Sequence, residues 1–240
     1  GVDYTHPYIK QYLNIEKSYD FVNGCPDVYD DGSMDSHGTA VTSNIIDILT
    51  GGDIDLDFEI INYKGLEFRS GTNYDIANCI RRAVNDGCNI INCSFGGYGE
   101  DVLIASAVKY AYDNDVIVVA AAGNEYSNDL CYPAKYPTTI SVGSIKEDYS
   151  HSEFSNLKAD FSAAGENIIS AYPGNGYALF SGTSMATPNL VGMCAILYSE
   201  GYTDSDSIEV KLTNMSKDLG ANGWDEVFGH GIPVYKVDNE

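Results

Sequence analysis

The chain has 240 residues, 44% hydrophobic and 20% charged, with 24 Gly and 7 Pro. This excludes a disordered or collagen-like chain and suits one α/β domain over 1–240. A formal charge of −22, from 35 Asp and Glu against 13 Lys and Arg, repels nucleic acid and anionic lipid and favours cationic partners.

In chain order, a polar, Asp-rich opening around residues 25–36 leads to His37, which opens a helix flanked by Gly and Thr. Residues 58–64 (FEIINYK) read as a strand. Residues 74–85 read as an amphipathic helix, with Ile76, Ile80 and Val84 at i, i+4 and i+8. A strand over 89–94 (NIINCS), a helix over 101–114 and a strand over 116–122 (VIVVAAA) follow. The second half reads as strands over 139–144, 161–163 and 168–171, then a long helix from about 183 to 200 that Gly201 ends. Continuous apolar strands alternating with helices predict a mostly parallel central sheet covered on both faces, a three-layer α/β sandwich. No apolar run reaches the roughly 20 residues of a membrane span. The N-terminus also lacks a basic segment followed by an apolar run, so no signal peptide is read in this chain.

The six Cys (25, 79, 88, 93, 131 and 194) show neither a C-x-x-C pair nor zinc-ligand spacing with His. They read as buried thiols, with one disulfide from Cys79 to Cys88 or Cys93 as the alternative. Either way they do not exclude a cytoplasmic location.

Three segments carry chemistry: Ser36-His37-Gly38-Thr39, Ala122-Gly123-Asn124-Glu125 and Ser181-Gly182-Thr183-Ser184-Met185-Ala186-Thr187-Pro188. Singly, each has an ordinary reading as a cap or a turn. A Ser in a helix's first turn, however, lies at the positive end of the dipole, beside backbone N–H groups that have no helical partner. Its hydroxyl needs a base near neutral pH, for which His37 is suited. A carboxamide at a strand end, Asn124, can donate to an oxyanion.

Together these blocks resemble the signature segments of the subtilisin-like serine proteases. The resemblance continues through Asn92-Cys93-Ser94-Phe95-Gly96-Gly97, Tyr132-Pro133-Ala134-Lys135-Tyr136-Pro137, Phe154-Ser155-Asn156 and Phe228-Gly229-His230-Gly231, and so spans nearly the whole chain. It implies a subtilisin-like fold, with Ser184 as nucleophile, His37 as general base and Asn124 as oxyanion donor. It also implies a peptide or protein substrate lying antiparallel against Ser94, Phe95 and Gly96. Ala122 and Gly123 would flank the substrate, with Glu125 and Cys131 shaping the first specificity pocket; a solvated carboxylate and a core thiol are the competing readings of those two. Secretion is the location that the family resemblance favours.

Two departures stand out. The family's triad acid closes an apolar strand just before the position aligned with Gly1, so that acid and strand are not in this sequence. Asp3 matches a different family position, and Asp31 and Asp35 read as solvated loop residues. An N-terminal fragment or propeptide completing the fold is therefore an expected partner, and a catalytically inactive peptide-binding or regulatory module is the alternative function. The family's calcium loop is also shortened. No cofactor is expected, although Asp53, Asp55 and Asp57 alternate in TGGDIDLD and could offer oxygens to calcium, with a solvated loop as the competing reading.

Overall fold

An apolar run with no polar face becomes an inner strand only where both of its faces are covered. The computed structural model describes residues 1–29, 36–51, 56–68 and 70–235. In chain order they form β1 (Tyr19–Asp20), α1 (His37–Thr50), β2 (Tyr63–Lys64), α2 (Asn73–Asn85), β3 (Ile90–Cys93), α3 (Val102–Tyr112) and β4 (Ile117–Ala121). The second half adds β5 (Ile140–Ile145), β6 (Phe161–Ala164), β7 (Ile168–Tyr172), β8 (Gly176–Phe180), α4 (Thr183–Ser199), α5 (Ser205–Met215), β9 (Ser216–Lys217) and β10 (Ile232–Pro233).

Strands β3-β4-β5-β6 form a parallel sheet in that order, with Ile91 opposite Val118 and Val142 opposite Phe161. Every residue of β4 is buried, and its side chains divide by the two-residue period. Ile117 and Val119 pack with Ile45 and Leu49 of α1 and with Leu190 and Leu197 of α4. Val118 and Ala120 pack with Ile80 of α2 and Ala107 of α3. Helices therefore cover both faces, as the alternating pattern predicts. Each fully buried Val or Ile contributes about 1.5–3 kcal/mol.

The expected elements occur with ends moved by at most two residues, except over 58–64. There only Tyr63–Lys64 is regular strand, paired in parallel with β1, and Ile60 adds an isolated bridge to Leu13. This segment pairs along one edge, and its other edge borders a large cleft. Helix ends follow local chemistry: Thr72 caps α2 by accepting from Asp75 N, and Asp101 caps α3 by accepting from Leu103 N and Ile104 N. All six cysteines are free thiols, so neither Cys79 pairing is formed. No described helix is long and apolar enough to cross a membrane.

Helices α1 and α4 hold the site. A Cβ on Gly192 of α4 would come within 2.4 Å of the Ile48 side chain, so this glycine sets how closely the two helices approach. Nearer their N-termini, Val41 packs with Met185, and Asn44 Nδ2 donates to Met185 Sδ at 3.4 Å. Val41 and Asn44, one and two turns beyond His37, thus touch the residue that follows Ser184.

Lys64 and Asp20 form a pair at 3.1 Å, with side chains 11% and 2% exposed. Burial would raise the Asp20 carboxyl, but hydrogen bonds from Asn23 and the Lys64 ammonium outweigh it and hold the pKa below the ordinary value. A depressed folded pKa stabilises above the unfolded value, near 4, and that contribution is lost as pH falls through the folded value. Stability is therefore expected to fall below about pH 4 in urea titrations. Asp20→Ala should cost about 3 kcal/mol at pH 7 by leaving the Lys64 ammonium buried with less compensation, and it should flatten the acid limb. An unchanged acid limb would show that this pair contributes nothing.

Candidate active site

The Ser184 segment begins where the backbone leaves β8 and turns at Gly182, whose φ of 154° an L side chain rarely adopts. Thr183 starts α4, so Ser184 lies in its first turn, half-buried. Pro188 has no N–H to give the Ser184 carbonyl four residues back. Ser94 supplies the replacement: its hydroxyl donates to Ser184 O at 2.9 Å, and the Ser184 hydroxyl donates to Ser94 O at 3.0 Å. This reciprocal pair fixes the first turn of α4 against the carboxyl end of β3. The Ser184 hydroxyl rests there on a carbonyl.

Asn124 follows Gly123 at the end of β4, and the Gly123 φ of 112° turns the chain outward. The Asn124 Oδ1 accepts from Thr183 N at 2.8 Å and from Thr183 Oγ1 at 3.0 Å. With its oxygen held by Thr183, the carboxamide has Nδ2 left to donate. His37 is the first residue of α1 and is half-buried. His37, Asn124, Ser184 and the run Ser94, Phe95 and Gly96 all line one cleft. The three segments that the sequence singles out all border this cleft.

Ala122 is buried at the end of the strand. A Cβ on Gly123 would come within 2.2 Å of Asn156 Nδ2, which makes the loop depend on glycine there. Glu125 Oε2 accepts from Tyr98 OH at 2.5 Å and from Asn124 N at 2.9 Å. Cys131 is buried, and its thiol donates to Ala121 O at 3.1 Å. Burial, with the Glu125 charge, pushes that thiol up to about 12, so it stays protonated and unreactive. A Cβ on Gly96 would come within 2.1 Å of Cys131 Sγ. The thiol therefore lies directly beneath Gly96.

The Asp3 carboxylate is fully buried and committed to Thr5 N, Thr5 Oγ1 and Gly174 N. These bonds tie the N-terminal turn to the β7–β8 hairpin, so Asp3 serves structure. Asp31, Asp35, Asp53 and Asp55 lie outside the described residues. Among the described residues no group of three or more His, Cys, Asp or Glu could hold a metal ion.

The subtilase family model, Peptidase S8, matches residues 1–231. The chain belongs to the subtilase family. It is 36% identical to a thermophilic serine proteinase of Bacillus sp. strain AK1 over 221 residues, covering 88% of this chain and 52% of that protein. It is 34% identical to subtilisin J of Geobacillus stearothermophilus over 246 residues, covering 97% of this chain and 61% of that protein. Subtilisin BL of Lederbergia lenta is 32% identical over 234 residues, covering 95% of this chain and 84% of that protein. The chain thus spans about half to three-fifths of the length of the first two. A crystal structure of a lanthipeptide protease superimposes with a TM-score of 0.86 at 27% identity, covering 97% of this chain and 83% of that one. The architecture is the subtilisin-like three-layer sandwich with a mostly parallel central sheet.

Two further residues of this subtilase chain organise the site. Thr183 orients Asn124, as described above, and Asn156 holds the loop after it. Asn156 Oδ1 accepts from Glu125 N at 3.0 Å and Ser127 N at 2.9 Å, while its Nδ2 donates to Tyr98 OH at 2.8 Å and Ala122 O at 2.9 Å. Both residues fall within recognisable blocks of the sequence. Their partners, 59 and 58 residues away, have no local signal.

Proposed function

We propose that this chain carries the nucleophile of a serine endopeptidase that cleaves peptide bonds through an acyl-enzyme on Ser184. The observation that carries this reading is the fixing of Asn124 Oδ1 by Thr183, beside the Ser184 turn and in the same cleft as His37. In the reaction the Ser184 hydroxyl leaves Ser94 O and attacks the substrate carbonyl as His37 takes its proton. The oxyanion receives hydrogen bonds from Asn124 Nδ2 and from the Ser184 N–H, which lies in the first turn of α4 where the helix offers no acceptor. His37 then returns its proton to the leaving amine, and water deacylates the ester by the reverse sequence. An acid that holds the His37 tautomer completes the set; Asp3, with its oxygens committed elsewhere, is not that acid.

The substrate would pair with Ser94, Phe95 and Gly96 as an added strand. We infer that Cys131 Sγ, beneath Gly96, and the Glu125 carboxylate, held by Tyr98, floor the first pocket and favour a small, uncharged side chain. Cys131→Gly should raise kcat/KM for a bulky side chain relative to Ala at that position about tenfold, read with paired peptide anilides. An unchanged ratio would remove Cys131 from the pocket. The likeness to a lanthipeptide protease, with the charge of −22, supports a narrower version in which the substrate is a basic precursor peptide.

The test is fluorophosphonate labelling of the protein expressed from its full reading frame, with the adduct mapped by mass spectrometry. The adduct should lie on Ser184 and be absent from Ser184→Ala. A competing reading is a peptide-binding module without turnover, favoured by the hydrogen bond that engages Ser184 with Ser94. It would be established by unlabelled Ser184 with peptide affinity retained.

A further inference from the structure

The run that follows β3 and the loop that follows β4 are joined twice. At the back, Gly97 N donates to Tyr132 O at 3.0 Å, Tyr132 N donates to Gly97 O at 2.7 Å, and Cys131 N donates to Ala122 O at 3.1 Å. Residues 131 and 132 thus tie one run to the other. Because Gly97 gives both main-chain groups to Tyr132, the alternation of an extended strand turns those of Gly96 to the opposite edge, where the substrate would pair.

At the front the join is made by side chains. Tyr98, next after Gly97, reaches across to the second loop. Its OH donates to Glu125 Oε2 at 2.5 Å, and the same carboxylate oxygen accepts from Asn124 N at 2.9 Å. Asn156 Nδ2 donates to Tyr98 OH at 2.8 Å while Asn156 N donates to Gly123 O at 3.0 Å, so the phenol oxygen is held from two sides. Partial burial, with the Glu125 carboxylate, raises the Tyr98 phenol above its ordinary value near 10. It therefore donates throughout the neutral range.

Asn124 is consequently fixed at two points, its Oδ1 by Thr183 and its backbone N–H by Glu125. The first leads to α4, and the second leads through Tyr98 to the substrate edge. The Tyr98 side chain is 49% exposed, so packing alone does not call for a tyrosine here. A phenylalanine would keep the ring and lose both hydroxyl bonds.

We propose that Tyr98 is a positioning residue that couples pairing of the substrate along Ser94, Phe95 and Gly96 to the orientation of Asn124, through the Glu125 carboxylate. This role deepens the peptidase reading and rests on Asn124 being its oxyanion donor. A peptide paired with Gly96 restrains the residues just beyond it, and the restrained phenol in turn holds the carboxylate that receives the Asn124 N–H. Binding energy from remote parts of the substrate is then expressed in kcat. A substrate too short to reach Gly96 leaves the link unused.

The test compares Tyr98→Phe with the unaltered protein, each expressed from the full reading frame, on a four-residue peptide anilide and on an anilide of its last residue alone. Tyr98→Phe should lower kcat for the long substrate about tenfold with KM unchanged, and for the short one by no more than about twofold. The tenfold loss should vanish in the Asn124→Ala background. Equal losses on both substrates, a loss confined to KM, or a loss that persists without Asn124 would each overturn the proposal. A second arm needs no turnover and follows amide hydrogen exchange in Ser184→Ala with the four-residue peptide amide. At tenfold excess over Kd, the Gly96 and Asn124 amides should exchange about tenfold more slowly, and adding Tyr98→Phe should abolish the slowing at Asn124 while leaving that at Gly96. Slowing at Asn124 that survives Tyr98→Phe, or no slowing at Gly96, would also overturn it. An unaltered protein that neither turns over nor labels at Ser184 would refute the peptidase reading, and the exchange arm would still decide whether Tyr98 couples the two loops.

Discussion

Ser184→Ala and His37→Ala are each expected to lower kcat by about a million-fold in the protein expressed from its full reading frame, and the double variant should lose no more than either one. The hydroxyl and the imidazole act as one unit: without the base the hydroxyl stays protonated, and without the hydroxyl the base has nothing to activate. Losses of about this size, and their failure to add, are the behaviour of subtilisin's own catalytic groups. Residual turnover of about 10³–10⁴ over water should remain, from the oxyanion donors and substrate binding. Peptide anilide kinetics decide the matter. Losses that multiply in the double variant would mean that the two residues act independently, and His37 would then not be the base for Ser184.

Asn124→Ala should lower kcat by about 10²–10³ with little change in KM, because its Nδ2 meets a charge that exists only in the transition state. Thr183→Val tests the positioning claim separately. It removes the 3.0 Å bond from Thr183 Oγ1 to Asn124 Oδ1 and leaves the backbone bond at 2.8 Å. A smaller loss, about tenfold in kcat with KM unchanged, is expected, and it should vanish in the Asn124→Ala background. A Thr183→Val loss that persists in that background would place Thr183 in structure alone. The Thr183 hydroxyl also reaches Gly123 N at 3.3 Å, so Thr183→Ser, which keeps both contacts, should restore kcat.

These residues differ in how legible they are. His37, Asn124 and Ser184 stand out because each sits in a short segment with its own local logic: a helix start, a glycine turn at a strand end, and a Gly-Thr-Ser start with Pro188 close behind. The alternation of strand and helix is equally local, and α2, α3 and α4 form where their apolar spacing and end residues put them. The partners that make these residues work together are non-local. The Ser94–Ser184 exchange joins residues 90 apart, and Asn156 collects donors and acceptors from two loop segments. No periodicity signals such contacts.

Other elements escape for opposite reasons. Helix α5 buries only Ser205, Ile208 and Leu212, too thin a stripe to stand out, although Asp204 capping Ser207 N and the Ile208-Leu212 spacing mark it in hindsight. Residues 58–64 read as a full strand because their composition suits one. The structure shortens it because a strand paired along one edge keeps less regular geometry.

In the proposed reaction imidazole, hydroxyl and carboxamide act on one reacting carbon. The structure of the fluorophosphonate adduct tests it most directly. The expected adduct has phosphorus bonded to Ser184 Oγ, a phosphonyl oxygen about 2.7–3.1 Å from both Asn124 Nδ2 and the Ser184 N–H nitrogen, and His37 within hydrogen-bond reach of Ser184 Oγ. An adduct on any other residue, or one on Ser184 whose oxygen points away from Asn124, would contradict it.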